Sequence, residues 1–416
     1  MRGIGSITVR RWLGASLAIS LTMGAAAPLA DAAQQLASSR SPTYLLYVGH
    51  GVGVADTAGA SVPCGEVIIT TDFQHWRVIT PPLPPAVPGS AGTCLYTWSD
   101  AYFTSPRDGW LLARNGGSTQ TLLQHTVNGG RSWTSEPAGD TGSNAGRETV
   151  SFVNNSLGWR QQFGLGSNGN YELQRTRNAG VTWTTRTRDP IGWCPFTTDA
   201  FSSAERGFAS APLGDGAEYS HMWRTLDGGR HWTTLTLARP PALARSALGL
   251  YGLPLFSGSD GVVPVDYALG ARQAIYFYRT TNGGATWRLE TGSNLPIDIR
   301  GALRINPLDP QSTCDGDNSV LGRVALVSLA DLSTWWILQP GPAGSTTRVL
   351  VSDSGAIVST FHVADLPATT GAPQLGALNS EDALVTVPLP YGSETTYETS
   401  NGGVTWITIT PANASP

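Results

Sequence analysis

The residues able to do chemistry are scattered along this chain, not gathered in motifs. General acid–base catalysis needs two carboxyls held across one scissile bond. The candidates, Glu148, Asp199, Asp260, Asp266 and Glu381, span more than half of the sequence without a shared motif. Each reads better as a solvated or turn-forming acid. Zinc needs ligands at short spacing, and the six histidines form no His-x-His or His-x-x-x-His pair. Asp315-Gly316-Asp317-Asn318 offers oxygen ligands of the kind calcium takes, but the rest of a binding loop is absent, so it reads as an acidic turn. The expectation is therefore no catalytic residue, no metal ligand and no cofactor.

Composition removes further chemistry. All 26 basic residues are arginine. Without lysine there is no Schiff base, no Walker or kinase-type lysine and no Ser-x-x-Lys hydrolase. The formal charge is −4, and removing a leader with three Arg and one Asp takes it to −6. A mildly acidic chain is a poor partner for nucleic acid, which needs a dense basic face. One local exception is a group of five arginines, Arg160, Arg175, Arg177, Arg186 and Arg188, within 29 residues.

Four cysteines, Cys64, Cys94, Cys194 and Cys314, lie 30, 100 and 120 residues apart, which fits neither a zinc nor a redox motif. In an oxidising compartment they suit two disulfides. Cys64–Cys94 with Cys194–Cys314 closes the shortest first loop among three possible pairings, and unpaired buried thiols are the alternative. Export is expected from the N-terminus. Arg2, Arg10 and Arg11 precede an uncharged stretch from Trp12 to Ala30, and small residues follow. Residues 1–32 read as a signal peptide, 33–43 as a linker, 44–411 as the folded domain and 412–416 as a tail. No later segment is long and apolar enough to span a bilayer as a helix. The mature protein is expected to be a secreted or extracytoplasmic monomer.

The elements that must position any site are set by a repeat. An eight-residue box, Thr-x-Asn/Asp-x-Gly-x-Ser/Thr-Trp, stands at Thr126–Trp133, Thr176–Trp183, Thr225–Trp232, Thr280–Trp287 and Thr399–Trp406. A shortened copy occupies Thr70–Trp76, and a degraded one, Val351–Val358, keeps Asp353 and Gly355. From Asp72 through Asn128, Asn178, Asp227, Asn282 and Asp353 to Asn401 the steps are 56, 50, 49, 55, 71 and 48 residues. That period fits a four-stranded sheet with its loops. A second motif, an aromatic residue, a polar turn, then Gly and an aromatic, precedes most boxes: Phe103–Trp110, Phe152–Trp159 and Phe201–Phe208 are clear copies.

Physically, Asn or Asp before Gly is a hairpin signal. The side chain accepts local backbone N–H groups and Gly takes positive φ. The Trp residues Trp133, Trp183, Trp232, Trp287 and Trp406 would fill space between sheets and offer an indole N–H to a carbonyl. Hung on third-to-fourth-strand hairpins, the boxes give blades near 44–85, 95–140, 148–190, 196–240, 248–293, 300–362 and 374–411. Pro81–Pro88 reads as a linker. The 71-residue step adds an insertion to blade six, and insertions on such scaffolds lie in loops. Tyr44–Val48 is alternatively a closing strand for the last blade.

The box resembles the Asp-box, or bacterial neuraminidase repeat, of sialidases, sortilin-type receptors and photosystem II assembly factors. The paired motifs are most similar to the assembly-factor type. The resemblance covers about Tyr44 to Ile409 and implies an all-β fold, a single β-propeller of seven four-stranded blades, with six as the alternative. It implies that box residues are structural and lie away from the ligand face. It also implies that an arginine-rich patch binds an acidic or extended partner segment. The Arg-Ile-Pro segment of sialidases is absent, and glycosidases on paired propellers need two rings. The functional expectation is a non-catalytic binding or assembly propeller recognising a protein segment or a glycan. The alternative is a sialidase-like glycoside hydrolase acting on extracellular glycans.

Overall fold

The computed structural model describes residues 44–57, 66–81, 96–115, 120–140, 148–165, 170–188, 198–211, 221–241, 243, 248–251, 254–269, 272–290, 327–329, 332–339, 347–353, 356–363, 374–388 and 394–409. The leader, the four cysteines, Asp315–Asn318, the blade-six insertion and most of Pro81–Pro88 lie outside the described residues.

Among the described residues the structure is all-β, in seven antiparallel sheets. The first holds β1 (Tyr44–Gly49), β2 (Val52–Asp56), β3 (Val67–Thr70) and β4 (Arg77–Val78); the second holds β5 (Tyr96–Phe103), β6 (Gly109–Asn115), β7 (Gln120–Thr126) and β8 (Thr134–Asp140). The third is β9 (Glu148–Phe152), β10 (Gly158–Leu165), β11 (Asn170–Thr176) and β12 (Thr184–Arg188); the fourth is β13 (Thr198–Phe201), β14 (Gly207–Ala211), β15 (His221–Thr225) and β16 (Thr233–Leu235). The fifth adds a short strand, running β17 (Leu248–Tyr251), β18 (Leu255–Ser257), β19 (Asp260–Leu269), β20 (Arg272–Thr280) and β21 (Arg288–Leu289). The sixth is β22 (Val327–Leu329), β23 (Thr334–Gln339), β24 (Thr347–Asp353) and β25 (Ala356–Val363); the seventh is β26 (Gln374–Ala377), β27 (Asp382–Pro388), β28 (Glu394–Ser400) and β29 (Ile407–Ile409). Each sheet is a meander, and each box sits at the turn between its last two main strands.

Consecutive sheets pack face to face, and the series closes. Val54 and Ile69 of blade 1 meet Phe103 and Leu111 of blade 2. Leu123 meets Val150, Leu173 meets Ala209, Phe208 meets Val263 and Phe277 meets Trp335 across the next four seams. Trp336 of blade 6 donates its indole N–H to Asn379 O of blade 7 at 3.0 Å. Phe73 and Trp76 of blade 1 pack on Leu378, Leu384 and Ile409 of blade 7. The architecture is a seven-bladed β-propeller.

One expectation is corrected. Tyr44–Val48 does not complete the last blade: β1 pairs β2 inside the first sheet, and blade 7 has four strands of its own. With β26 already filling the inner position of the last sheet, no hydrogen-bonding edge there is open to β1. The ring is closed by side chains packed between sheets.

Both sequence motifs act at the seams. The aromatic that ends a first strand covers the glycine opening the second: a Cβ on Gly158 would fall 2.3 Å from the Phe152 ring. The aromatic after that glycine reaches the following blade. Trp110 stacks on Phe152 with centroids 3.6 Å apart, and Trp159 stacks on Phe201 at 3.6 Å. Box tryptophans then close edge-on, Trp183 on Phe152 and Trp232 on Phe201. The second box glycine is the seat for the preceding blade. Gly229 has φ of +91°, and a Cβ there would lie 2.5 Å from Leu173 of blade 3.

Gly229→Ala is expected to combine positive-φ strain with a seam clash, costing about 2–4 kcal/mol. Gly258→Ala, at φ +63° with nothing within 4 Å of the added carbon, should cost only the strain, about 1 kcal/mol. Equilibrium urea unfolding of the two variants measures the difference.

Candidate functional site

The box side chains are consumed inside their own turns. At Asn128 the amide oxygen accepts from Thr126 Oγ1 at 3.0 Å and from Ser132 N at 2.9 Å, while its Nδ2 donates to Ser132 Oγ at 2.7 Å. Asn178, Asn282 and Asn401 repeat the pattern on Thr182, Thr286 and Thr405. Asp227 accepts from Arg230 N and His231 N and holds His231 Nδ1 at 2.6 Å, and these bonds draw its carboxyl down to about 2 against the effect of burial. Asp72 makes the same bonds to Gln74 N, His75 N and the His75 ring. Asp353 closes the β24–β25 pairing opposite Ala356. An Asx turn with its acceptors filled is a scaffold device.

The indole nitrogens divide. Trp133 donates to Ile79 O of the preceding blade at 2.9 Å. Those of Trp76, Trp183 and Trp287 are buried without an acceptor. Their rings fill apolar seams, where area burial outweighs one unmade bond. The seam bonds come instead from second-strand tryptophans: Trp110 Nε1 to Ala179 O at 3.0 Å and Trp159 Nε1 to Gly228 O at 3.2 Å.

The scattered acids lie on four different blades. Glu148 lies in blade 3, Asp199 in blade 4, Asp260 and Asp266 in blade 5 and Glu381 in blade 7, where it is exposed in a turn. Among the described residues no three His, Cys, Asp or Glu side chains are grouped to hold a metal.

The five arginines separate into two environments. Arg160 is buried between blades 2 and 3. Its Nε donates to Gln174 Oε1 at 2.5 Å, its guanidinium lies 4.7 Å from the Trp183 ring, and Nη1 is 3.6 Å from Glu148 Oε1. Glu148 is buried too, accepting from Thr121 Oγ1 at 2.6 Å. Burial pushes its carboxyl above the usual range, against the pull of Arg160, Thr121 and Gln162. Arg188 extends over Glu172, Nε to Oε2 at 3.7 Å. These two arginines therefore serve the interior and edge of blade 3.

Arg175, Arg177 and Arg186 gather at the box rim where blade 3 meets blade 4. Arg175 Nη1 donates to Ala204 O at 3.2 Å, and Arg186 donates to Gly228 O at 3.1 Å and Asp227 O at 2.8 Å. All three bonds cross the seam and fix the guanidinium groups at the surface. Arg230, from the blade-4 box, joins them and was not singled out by the sequence. Its signal is register: it occupies the sixth box position, which points outward in every copy. Partial burial, then mutual repulsion with Arg177 and Arg230, holds Arg175 below the ordinary guanidinium value. Arg186 is lowered by burial, Arg175 and Arg230. No carboxylate lies within 4 Å of any of the four among the described residues. Arg175, Arg177, Asn178, Thr182 and Thr184 line an open concavity of about 280 Å³. Val181 and Leu226 stand exposed on the same two boxes.

No family model matches the chain, and no curated protein sequence matches it. Solved structures do. The BP39L lectin from Burkholderia pseudomallei is 13% identical, with 89% of this chain and 98% of the lectin covered and a TM-score of 0.50. YCF48 from Cyanidioschyzon merolae is 12% identical over 90% of this chain and 97% of its own, with a TM-score of 0.44. YCF48 bound to D1 peptide is 15% identical over 77% and 85%, with a TM-score of 0.43. The likeness is one of fold.

Removing one partner of the buried pair should be severe. Arg160→Met strands Glu148 without its cation and is expected to cost about 3–5 kcal/mol. Arg160→Met with Glu148→Leu should recover much of that loss, and a double-mutant cycle by chemical denaturation reads the coupling.

Proposed function

We propose that this protein is an exported, non-catalytic binding propeller that docks an acidic, extended protein segment on the rim of blades 3 and 4. The observation that carries the reading is the arginine-lined concavity. Four guanidinium groups crowd one seam with no carboxylate within 4 Å among the described residues, and two of them are pinned by bonds to backbone carbonyls. Mutual repulsion among fixed cations is a standing cost that an incoming anion relieves. Arginine forks suit carboxylates in a bidentate geometry. Thr184 adds a hydroxyl beside the charges, while Asn178 and Thr182, bonded to each other, shape the wall. Val181 and Leu226 would take apolar side chains of the same segment.

Export rests on the basic, then uncharged, then small-residue pattern of residues 1–32. A secreted propeller with one adhesive rim acts by holding a partner, and the chemistry of the rim makes that partner anionic.

Arg177 and Arg230 test this most cleanly, since both are exposed and neither side chain makes a seam bond. The double variant Arg177→Glu, Arg230→Glu is expected to keep the wild-type melting temperature. Its affinity for an Asp/Glu-rich peptide library should fall about tenfold or more, and wild-type binding should weaken as salt rises. Calorimetry on the full chain reads both. Wild-type binding only to sulfated or sialylated glycans, or turnover of a chromogenic glycoside, would overturn the proposal.

A further inference from the structure

The position immediately before each box threonine faces the next blade. In blades 3, 4 and 5 it is arginine, and each guanidinium donates across its seam. Arg175 reaches Ala204 O at 3.2 Å, Arg224 reaches Ala285 O at 3.4 Å and Arg279 reaches Leu332 O at 2.8 Å. In blade 7 the same position is Glu398, on β28, opposite Leu384 and Ile407. It is only 4% exposed. The blade it faces is blade 1, across the seam where the ring closes without an exchanged strand.

A carboxylate cannot replace those arginines, because it has no proton to donate. Its surroundings make the ionised form worse. From blade 1 it faces Asp72 and His75 in the shortened box, and from its own blade Asp382 at the start of β27. Asp72 and His75 are paired at 2.7 Å, and Asp382 Oδ2 accepts from Asn379 Nδ2 at 2.7 Å. Glu398 makes no hydrogen bond to any of them. Asp72, Asp382 and the His75 ring thus act on Glu398 at the seam where Phe73 and Trp76 pack on Leu378, Leu384 and Ile409.

We propose that the seam between blades 7 and 1 is a proton-operated latch, tight when the Glu398 carboxyl is protonated and loosened when it ionises beside Asp72 and Asp382. A protonated Glu398 adds no charge to the seam and regains a donor. An ionised one adds a third anion beside Asp72 and Asp382.

The pH window follows from the groups present. Burial first, then Asp72 and Asp382, push Glu398 from its ordinary 4.5 up to about 7, with His75 pulling the other way. A raised acid costs the folded seam nothing below its unfolded value, and the whole penalty above its folded one. His75 is raised by its bond to Asp72. Its stabilisation is present below 6.5 and lost as pH rises through the folded value, so it works in the same direction. Asp72 is lowered, so its stabilisation is lost only under stronger acid. The seam therefore tightens as pH falls from about 7 towards 4.5.

The test is hydrogen exchange of the full chain followed by mass spectrometry between pH 5 and 8, corrected for intrinsic rates. Peptides from β1–β4 and β26–β29 should show an opening constant that rises by up to about tenfold per pH unit and levels off above 7. Peptides from β13–β16, where the itemised acid Asp227 is lowered and not raised, should not follow. Glu398→Gln, a neutral isostere, should flatten the seam profile. If Glu398→Gln does not fold, Asp72→Asn installs the residue that four other boxes carry and should move the rise to lower pH. A seam profile parallel to that of blade 4, a Glu398→Gln profile unchanged from wild type, or an Asp72→Asn rise that does not move would each overturn the latch.

Discussion

Everything in this propeller depends on sheets lying close enough for a side chain of one blade to sit on a bare glycine of the next. Leu123 sits over Gly180 and Leu173 over Gly229, at distances no Cβ would tolerate. Flat aromatic stacking, Trp110 on Phe152 and Trp159 on Phe201, then fixes the spacing of neighbouring sheets. A lone blade leaves both faces bare, so its stability is borrowed from its neighbours, as in any stacked repeat. Closing the series removes the two terminal faces that would otherwise stay exposed.

That constraint decides what the polar residues do. Close approach of sheets brings backbone carbonyls of one box within reach of donors in the preceding blade. Gly228 O accepts from both Trp159 and Arg186, and Arg206 donates to Asn282 O and Gly283 O. Arginines suit this task because a planar guanidinium can span a seam and still leave donors free at the surface. The rim of blades 3 and 4 is cationic as a by-product of seam bonding, and Arg177 and Arg230 extend it outward. Binding capacity here is built on structural residues, which is why the fixed pair and the exposed pair of arginines answer different questions when changed.

The last seam departs from the others in two respects. It has the shortened box, with Phe73 at φ +56° where four of the full boxes use glycine, and it has Glu398 where blades 3, 4 and 5 use arginine. Both departures put anionic or strained groups at the one junction that joins chain ends. Rings closed by strand exchange convert end fraying into rupture of a sheet. This ring, closed by side chains, leaves the junction free to respond to a proton.

The sequence by itself determined the repeat, the all-β propeller class and the place of each box between third and fourth strands; the sheets then settled seven blades over six. Those first three were legible because they are local. An Asx turn, a positive-φ glycine and an aromatic at fixed offset are specified by neighbours in the chain. Tertiary structure alone decided which cations are available: Arg160 and Arg175, fifteen residues apart on paired strands, point to opposite faces of one sheet, so one is buried against Glu148 and the other reaches the rim. It alone brought Arg230 to that rim, set Glu398 against Asp72 from the far end of the chain, and kept β1 in its own sheet. Each of these turns on which blade face a side chain occupies and what the adjoining sheet presents to it, and repeat spacing carries no record of either.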